Sequence, residues 1–249
     1  MPKKKKQIIT EEKPKVHIWR LCPIGEHPVR THPMHVPPSK TNPDGSITTR
    51  HWHCAKYPSG KDQLYPLEIE EVSNKHFPET KNKPCPINLD FQDIGNKYDD
   101  LTSGWTQYWN EVMKPATPLA PNTVKALIGS ESGFNPSGLA NKKDKNSARG
   151  LMQINNQARK ILSDEKGELK NHYVTATREE LNDPNINICT GIRWLFQKQK
   201  LASSSLGREA TWDEAVENYK GLKNKSALDK KRLMKHFYEY KEKLEKCAK

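Results

Sequence analysis

One carboxylate stands out by its spacing. After Pro121, residues Val124, Leu127, Ile128 and Glu131 fall at i, i+3, i+4 and i+7, so Glu131 shares the apolar stripe of a helix. A carboxyl group held among apolar neighbours is disfavoured in its charged form. It can then stay protonated near neutral pH and act as a general acid toward a glycosidic oxygen. The bland alternative is a half-buried glutamate paired with a lysine or arginine.

A second group of chemistry-bearing residues lies upstream. Seven of the nine histidines precede residue 80, and Cys22 and Cys54 flank most of them. Cys22, His32, His53 and Cys54 could form a closed structural zinc site. A Cys22–Cys54 disulfide fits the same residues, and surface histidines are the third reading. The five cysteines are too widely spaced for a disulfide-dense scaffold.

The elements that must carry these groups fall into two stretches. Residues 1–15 read as a basic, flexible tail. Residues 16–98 are rich in Cys, His and Pro, with short β-like runs at Val16–Leu21 and Ser46–His53, and form a small accessory module with a short helix over 67–76. From 99 to 249 the pattern is helical. Trp105, Tyr108, Trp109, Val112 and Met113 make one apolar stripe, which Pro115 and Pro118 terminate. Capping-box spacing at Thr177–Glu180 and Thr211–Glu214 predicts two helix starts. Asp183-Pro184 opens another helix, and Ser226 to about Cys247 reads as the last. The fold class expected is mainly α, preceded by the loop-rich module with short strands.

Motifs in the helical part carry a resemblance. Val124–Pro136 includes Glu131-Ser132-Gly133-Phe134-Asn135-Pro136. Then come Ala148-Arg149-Gly150-Leu151-Met152-Gln153-Ile154; Asp183-Pro184 with Asn187, Ile188, Gly191, Trp194 and Leu195; Asn218-Tyr219-Lys220-Gly221; and Tyr238 with Lys241. In this order, over about residues 118–245, they resemble the soluble lytic transglycosylase (SLT) family of the lysozyme-like superfamily.

The resemblance implies cleavage of the β-1,4 bond between N-acetylmuramic acid and N-acetylglucosamine in peptidoglycan. Glu131 would be the single catalytic acid and base. The product would be a 1,6-anhydro ring, formed without water, and no catalytic cofactor is implied. Ser132, Met152, Gln153, Asn218, Tyr219 and Tyr238 match positions that line the family's cleft. Two departures are visible. Lys220 stands where the family has asparagine after the motif tyrosine, and the loop before Gly150 is longer and more polar. Asp144 in that loop is the candidate second carboxylate of a goose-type, hydrolytic muramidase, which needs its two carboxyls about 6.5–9.5 Å apart.

The formal net charge is +12. It suits an anionic wall polymer, a membrane surface or nucleic acid. Basic residues mixed with acids, as in Lys241–Lys246, argue against a nucleic-acid groove binder. No stretch approaches the ~18 apolar residues of a membrane span. The N-terminus lacks the apolar run of a secretory signal. The expectation is therefore synthesis in the bacterial cytoplasm and action at the periplasm or cell wall after delivery by another route. That points to a phage lysis protein or, preferentially, an antibacterial effector of a type VI-like machine. An effector implies a cognate immunity protein and a contact with the secretion machine. The remaining alternative is a non-catalytic wall-binding module.

Overall fold

The computed structural model describes residues 19–23, 25–56, 63–141, 143–144 and 146–247. The expected basic tail at 1–15 lies outside them, as do residues 16–18 of the first expected strand. The chain divides into two compact units, 1–60 and 61–249.

The first unit is built from two antiparallel pairs. β1 (Glu26–Val29) pairs with β4 (His53–Lys56), and β2 (His32–Val36) pairs with β3 (Ser46–Arg50). Ser46–His53, read as one strand, is thus split between β3 and β4. The sequence reading missed β1 and β2 because Pro28 and Pro33 look like breakers; both lie in two-stranded pairs, where a proline is tolerated. Gly45, at φ +67°, closes the β2–β3 turn. The β2–β3 ribbon is exposed on both faces, with Ile47 67 % accessible. Cys22 and Cys54 form a disulfide. Sulfurs bonded to each other offer no thiolates, so the zinc set proposed at Cys22, His32, His53 and Cys54 is not assembled. The Nδ1 atoms of His32 and His53 instead lie 2.9 Å from the carbonyls of Arg30 and His51. Among the described residues no group of three or more His, Cys, Asp or Glu is placed to hold a metal.

The second unit begins earlier than the expected boundary at 98/99. Its elements are β5 (Gln63–Leu64), α1 (Pro66–His76), α2 (Asp99–Met113), α3 (Pro121–Ser132), α4 (Asn156–Leu162), β6 (Tyr173–Val174), α5 (Pro184–Leu206), α6 (Trp212–Tyr219) and α7 (Ala227–Cys247). β5 runs parallel to β6, and α1 buries Ile69 and Val72 while packing on α5. These contacts tie residues 63–98 to the helical unit. An apolar face seen in sequence does not say which unit covers it, so the boundary was placed too late.

α5 is the central element. Asp183 caps its start by accepting the Ile186 N–H at 3.0 Å, and Pro184 occupies its first turn, where no N–H is needed. It is buried along most of its length because α1, α2, α4 and α6 pack around it. The stripe of α2 is buried as expected at Trp105, Tyr108 and Trp109. Both of its indole N–H groups are satisfied: Trp105 donates to Asn185 Oδ1 (2.7 Å) and Trp109 to the Cys189 carbonyl (3.0 Å).

α3 packs against α2 and α7. Lys125 on α3 is fully buried, and its Nζ donates to Cys85 O (2.9 Å), Asn96 Oδ1 (2.7 Å) and Asp99 Oδ2 (2.9 Å). A buried ammonium needs such partners, and here they hold the 85–99 segment onto α3. A second disulfide joins Cys85 to Cys247 near the end of α7.

One expected helix start is corrected. The Thr177–Glu180 capping bonds are present, but only a 3-10 turn at Glu180–Asn182 follows, because Asp183-Pro184 begins the next helix at once. The Thr211–Glu214 box does head a helix, α6. Among the described residues no helix is long and apolar enough to cross a membrane.

Candidate active site

Glu131 occupies the last turn of α3. The helix stops at Gly133 (φ +59°), and Phe134 (φ +63°) continues the reversal. Phe91 closes this end from the segment before α2, with its ring 5.2 Å from Phe134 and 5.6 Å from Tyr240. The Glu131 side chain is only 17 % accessible. Its Oε1 accepts a hydrogen bond from Lys220 Nζ at 2.6 Å, and the Lys220 side chain is itself only 11 % accessible. The carboxylate is thus half-buried and bound to an ammonium supplied by the C-terminal end of α6, which is the paired arrangement rather than the unpaired apolar setting that would keep a carboxyl protonated.

The Gly150–Ile154 loop is positioned by α5. Asn187, fully buried, accepts the Met152 N–H (2.8 Å) and donates to Arg149 O (3.1 Å) and Leu181 O (2.7 Å). Gly150 is needed twice over. Its φ is +76°, and a Cβ there would run into the Asn187 amide. Gly191, one turn along α5, leaves the notch that receives the Met152 side chain. The third sequence motif therefore holds the second in place.

The loop in turn meets α6. Tyr219 donates its hydroxyl to Met152 O at 2.6 Å. Burial, together with the Glu131 charge, pushes that hydroxyl's pKa well above its ordinary value, so it remains a neutral donor. Gln153, at φ +49°, donates from Nε2 to Gly138 O (3.1 Å) and Gly150 O (2.8 Å). Glu131, Met152, Gln153 and Tyr219 are thereby linked through α5 and α6.

Four other expected residues behave differently. The Ser132 hydroxyl donates back to Ile128 O (3.2 Å) within its own helix. Asn218 lines a separate cavity of about 270 Å³ with Leu206, Glu217 and Lys230. Tyr238 is 39 % accessible, and its hydroxyl feels Asp213, Glu217 and Glu214 on the α6 side. The ring nearer α3 is Tyr240; a Cβ on Gly129 would come within 3.2 Å of it. Spacing alone could not choose between two tyrosines on α7. Asp144 is exposed and accepts the Asn146 N–H at 2.8 Å within its own loop.

Sequence reasoning left Lys220 and Asn187 out of the site. Both were visible in it, one as a departure from a motif and the other as a motif residue without an assigned task.

Residues 108–227 match the family model described as "Transglycosylase SLT domain". The match covers just under half of the chain and is consistent with a lysozyme-like, mainly α SLT domain in this segment. Neither a curated protein nor a solved structure shows a significant match to the chain.

Proposed function

We propose that the protein is a lytic transglycosylase that cuts peptidoglycan glycan strands between N-acetylmuramic acid and N-acetylglucosamine, leaving 1,6-anhydro ends. The observation that carries this reading is the match of residues 108–227 to the SLT family, with Glu131 of that segment half-buried at the end of α3. An enzyme of the lytic transglycosylase type acting on peptidoglycan is what such a domain implies.

The chemistry needs one carboxyl in two states. Protonated Glu131 gives its proton to the bridging oxygen as the bond to the muramoyl C1 breaks. The substrate's acetamido oxygen stabilises the cationic C1. The Glu131 carboxylate then takes the proton of the muramoyl C6 hydroxyl, whose oxygen closes on C1. Glu131 ends protonated again, and no water is consumed. Asn187, Met152 and Tyr219 fix the loop beside it, and Gln153 is held by two carbonyls.

Hydrolysis by a goose-type mechanism would call on Asp144. That carboxylate accepts the Asn146 N–H within its own loop, and among the described residues no contact of it favours the hydrolytic reading.

The two disulfides support action in an oxidising space such as the periplasm. We further propose delivery as an antibacterial effector that a cognate immunity protein blocks; the +12 charge suits the anionic wall that such an effector meets.

The test is clearing of purified sacculi by wild type and E131Q, with mass analysis of the products. Wild type clears the suspension, E131Q does not, and the released muropeptides lack one water relative to reducing-end products. Equal clearing by E131Q would remove Glu131 from the mechanism.

A further inference from the structure

We propose that the hairpin of the first unit carries, on the face that presents Trp52, a second binding site for peptidoglycan, a glycan polymer whose stem peptides bear carboxylates. The choice of this ligand rests on the function proposed above. The site itself is argued from the hairpin.

The two strand pairs are one ribbon. Val29 faces His53, and three residues further along each strand His32 faces Arg50. The register therefore runs unbroken, and Arg30 and Thr31 face Trp52 and His51 in the gap between the pairs. Side chains serve the backbone there. Thr31 Oγ1 accepts the Trp52 N–H at 3.0 Å, His32 Nδ1 lies 2.9 Å from Arg30 O, and His53 Nδ1 lies 2.9 Å from His51 O. Trp52 thus stands on backbone pinned from the opposite strand, while the residue is 47 % accessible.

Side chains alternate between faces along a strand, and opposed residues share a face. One face of the outer ribbon therefore carries His32, Met34, Thr48, Arg50 and Trp52, all exposed. The other carries Pro33, His35, Ile47 and Thr49. The first face combines an indole with a guanidinium, and the second has neither. An indole offers a flat apolar surface to the C–H groups on one side of a pyranose ring. A guanidinium two strand positions away, about 7 Å, is suited to bidentate binding of a carboxylate.

Charge and size select the occupant. At the base of the hairpin Glu26 is opposed by Lys56. Beyond that pair Asp44 is the one acidic residue, against Arg30, Lys40 and Arg50, so the ribbon complements a polyanion. Five-residue strands at about 3.4 Å per residue make a face about 17 Å long and only two strands wide. A stable protein interface needs about 800 Å² per partner, which this face does not supply. A single extended polymer laid along it fits. Met34 and Ile47 lie on opposite faces, so neither face is apolar enough to enter a membrane. A second weak site on the same chain keeps the enzyme on an insoluble substrate by raising the effective concentration of the first.

The experiment is co-sedimentation of the full-length E131Q chain with purified sacculi, so that the polymer is bound but not cut, with W52A, R50E or I47S added. W52A is expected to weaken binding about tenfold, also in about 0.5 M salt, where charge is screened. R50E weakens it at low salt only. I47S, on the other face, binds like its parent. With Glu131 intact, W52A slows sacculus clearing and leaves cleavage of a short soluble glycan fragment unchanged. Near-UV circular dichroism checks folding, and T48E, which sets a negative charge on the same exposed face, serves if W52A does not fold.

W52A or T48E binding like the parent would overturn the inference. So would an I47S that weakens binding as much as W52A, or a Trp52-dependent binding of phosphatidylglycerol vesicles or single-stranded DNA with sacculus binding unaltered. Those results leave the function proposed above intact. An E131Q that clears as well as wild type removes that function, and the hairpin site then stands if W52A still weakens binding. A parent chain that does not bind sacculi at all removes both.

Discussion

Replacing Asn187 by leucine tests whether the α5 clamp is what holds the site loop. Leucine is close in size, so the change removes hydrogen bonds without opening a large cavity. Three backbone groups lose their partner: Met152 N–H, Arg149 C=O and Leu181 C=O. Met152 and Leu181 are buried, so water reaches those groups poorly. At about 1–3 kcal/mol for each of these two buried groups left unpaired, the cost is about 2–6 kcal/mol. In a unit of this size that corresponds to a drop in Tm of roughly 4–24 °C. The assay is thermal unfolding followed by circular dichroism, run beside sacculus clearing below the variant's own transition. Clearing should fall too, because Met152 O also anchors the Tyr219 hydroxyl next to Lys220. A Tm within about 3 °C of wild type would refute the reasoning, since less than about 1.5 kcal/mol would then have been lost. N187D should do no better: it keeps an acceptor for Met152 N–H but sets a carboxylate against two carbonyls.

Three further outcomes are expected. C247S opens a link spanning 162 residues, and the chain-entropy argument gives a loss of about 5 kcal/mol, read by urea denaturation; a midpoint unchanged from wild type, and unchanged by reductant, would contradict it. G191A drives a methyl group into Met152 and should cost about 1–3 kcal/mol in the same assay, whereas a neutral result would mean that the notch is not close-packed. Asp99, raised by burial to about 6 against the lowering pull of Lys125, should show a carboxyl carbon-13 titration midpoint near that value. Its folded pKa lies above its unfolded one, so its contribution to stability is full below about pH 3.8 and is lost as pH rises through about 6; a midpoint below 4 would show that Lys125 outweighs burial.

The helical half was legible because its signals are local. The Pro121 start, the α2 tryptophan stripe and the Thr211 box each need only a few neighbouring residues, and each sits where the spacing put it. The motif order likewise located the Gly150–Ile154 loop and Glu131. What could not be read were choices made by distant chain. Whether Tyr238 or Tyr240 faces α3 depends on the roll of α7, which the Cys85–Cys247 disulfide and the Asp213–Lys241 pair (2.6 Å) constrain from other elements. The partner of Glu131 comes from 89 residues away, so its stripe gave the burial but not the ammonium. The strands of the first unit were hidden by prolines that two-stranded pairs accept. The spacing of α3 gives no sign that Lys125 is buried, because its acceptors lie in the preceding segment.

The short parallel pairing of Gln63–Leu64 with Tyr173–Val174 bears on how the molecule can be dissected. The family match begins at residue 108, inside α2, yet the sheet partner, the helix covering α5 and the ring closing the end of α3 all come from upstream. A gene fragment cut at the match would strand Val174 without its neighbour and bare the greasy side of α5. The smallest autonomous piece should therefore start near residue 61, and inactivity of a shorter clone would say nothing about the enzyme.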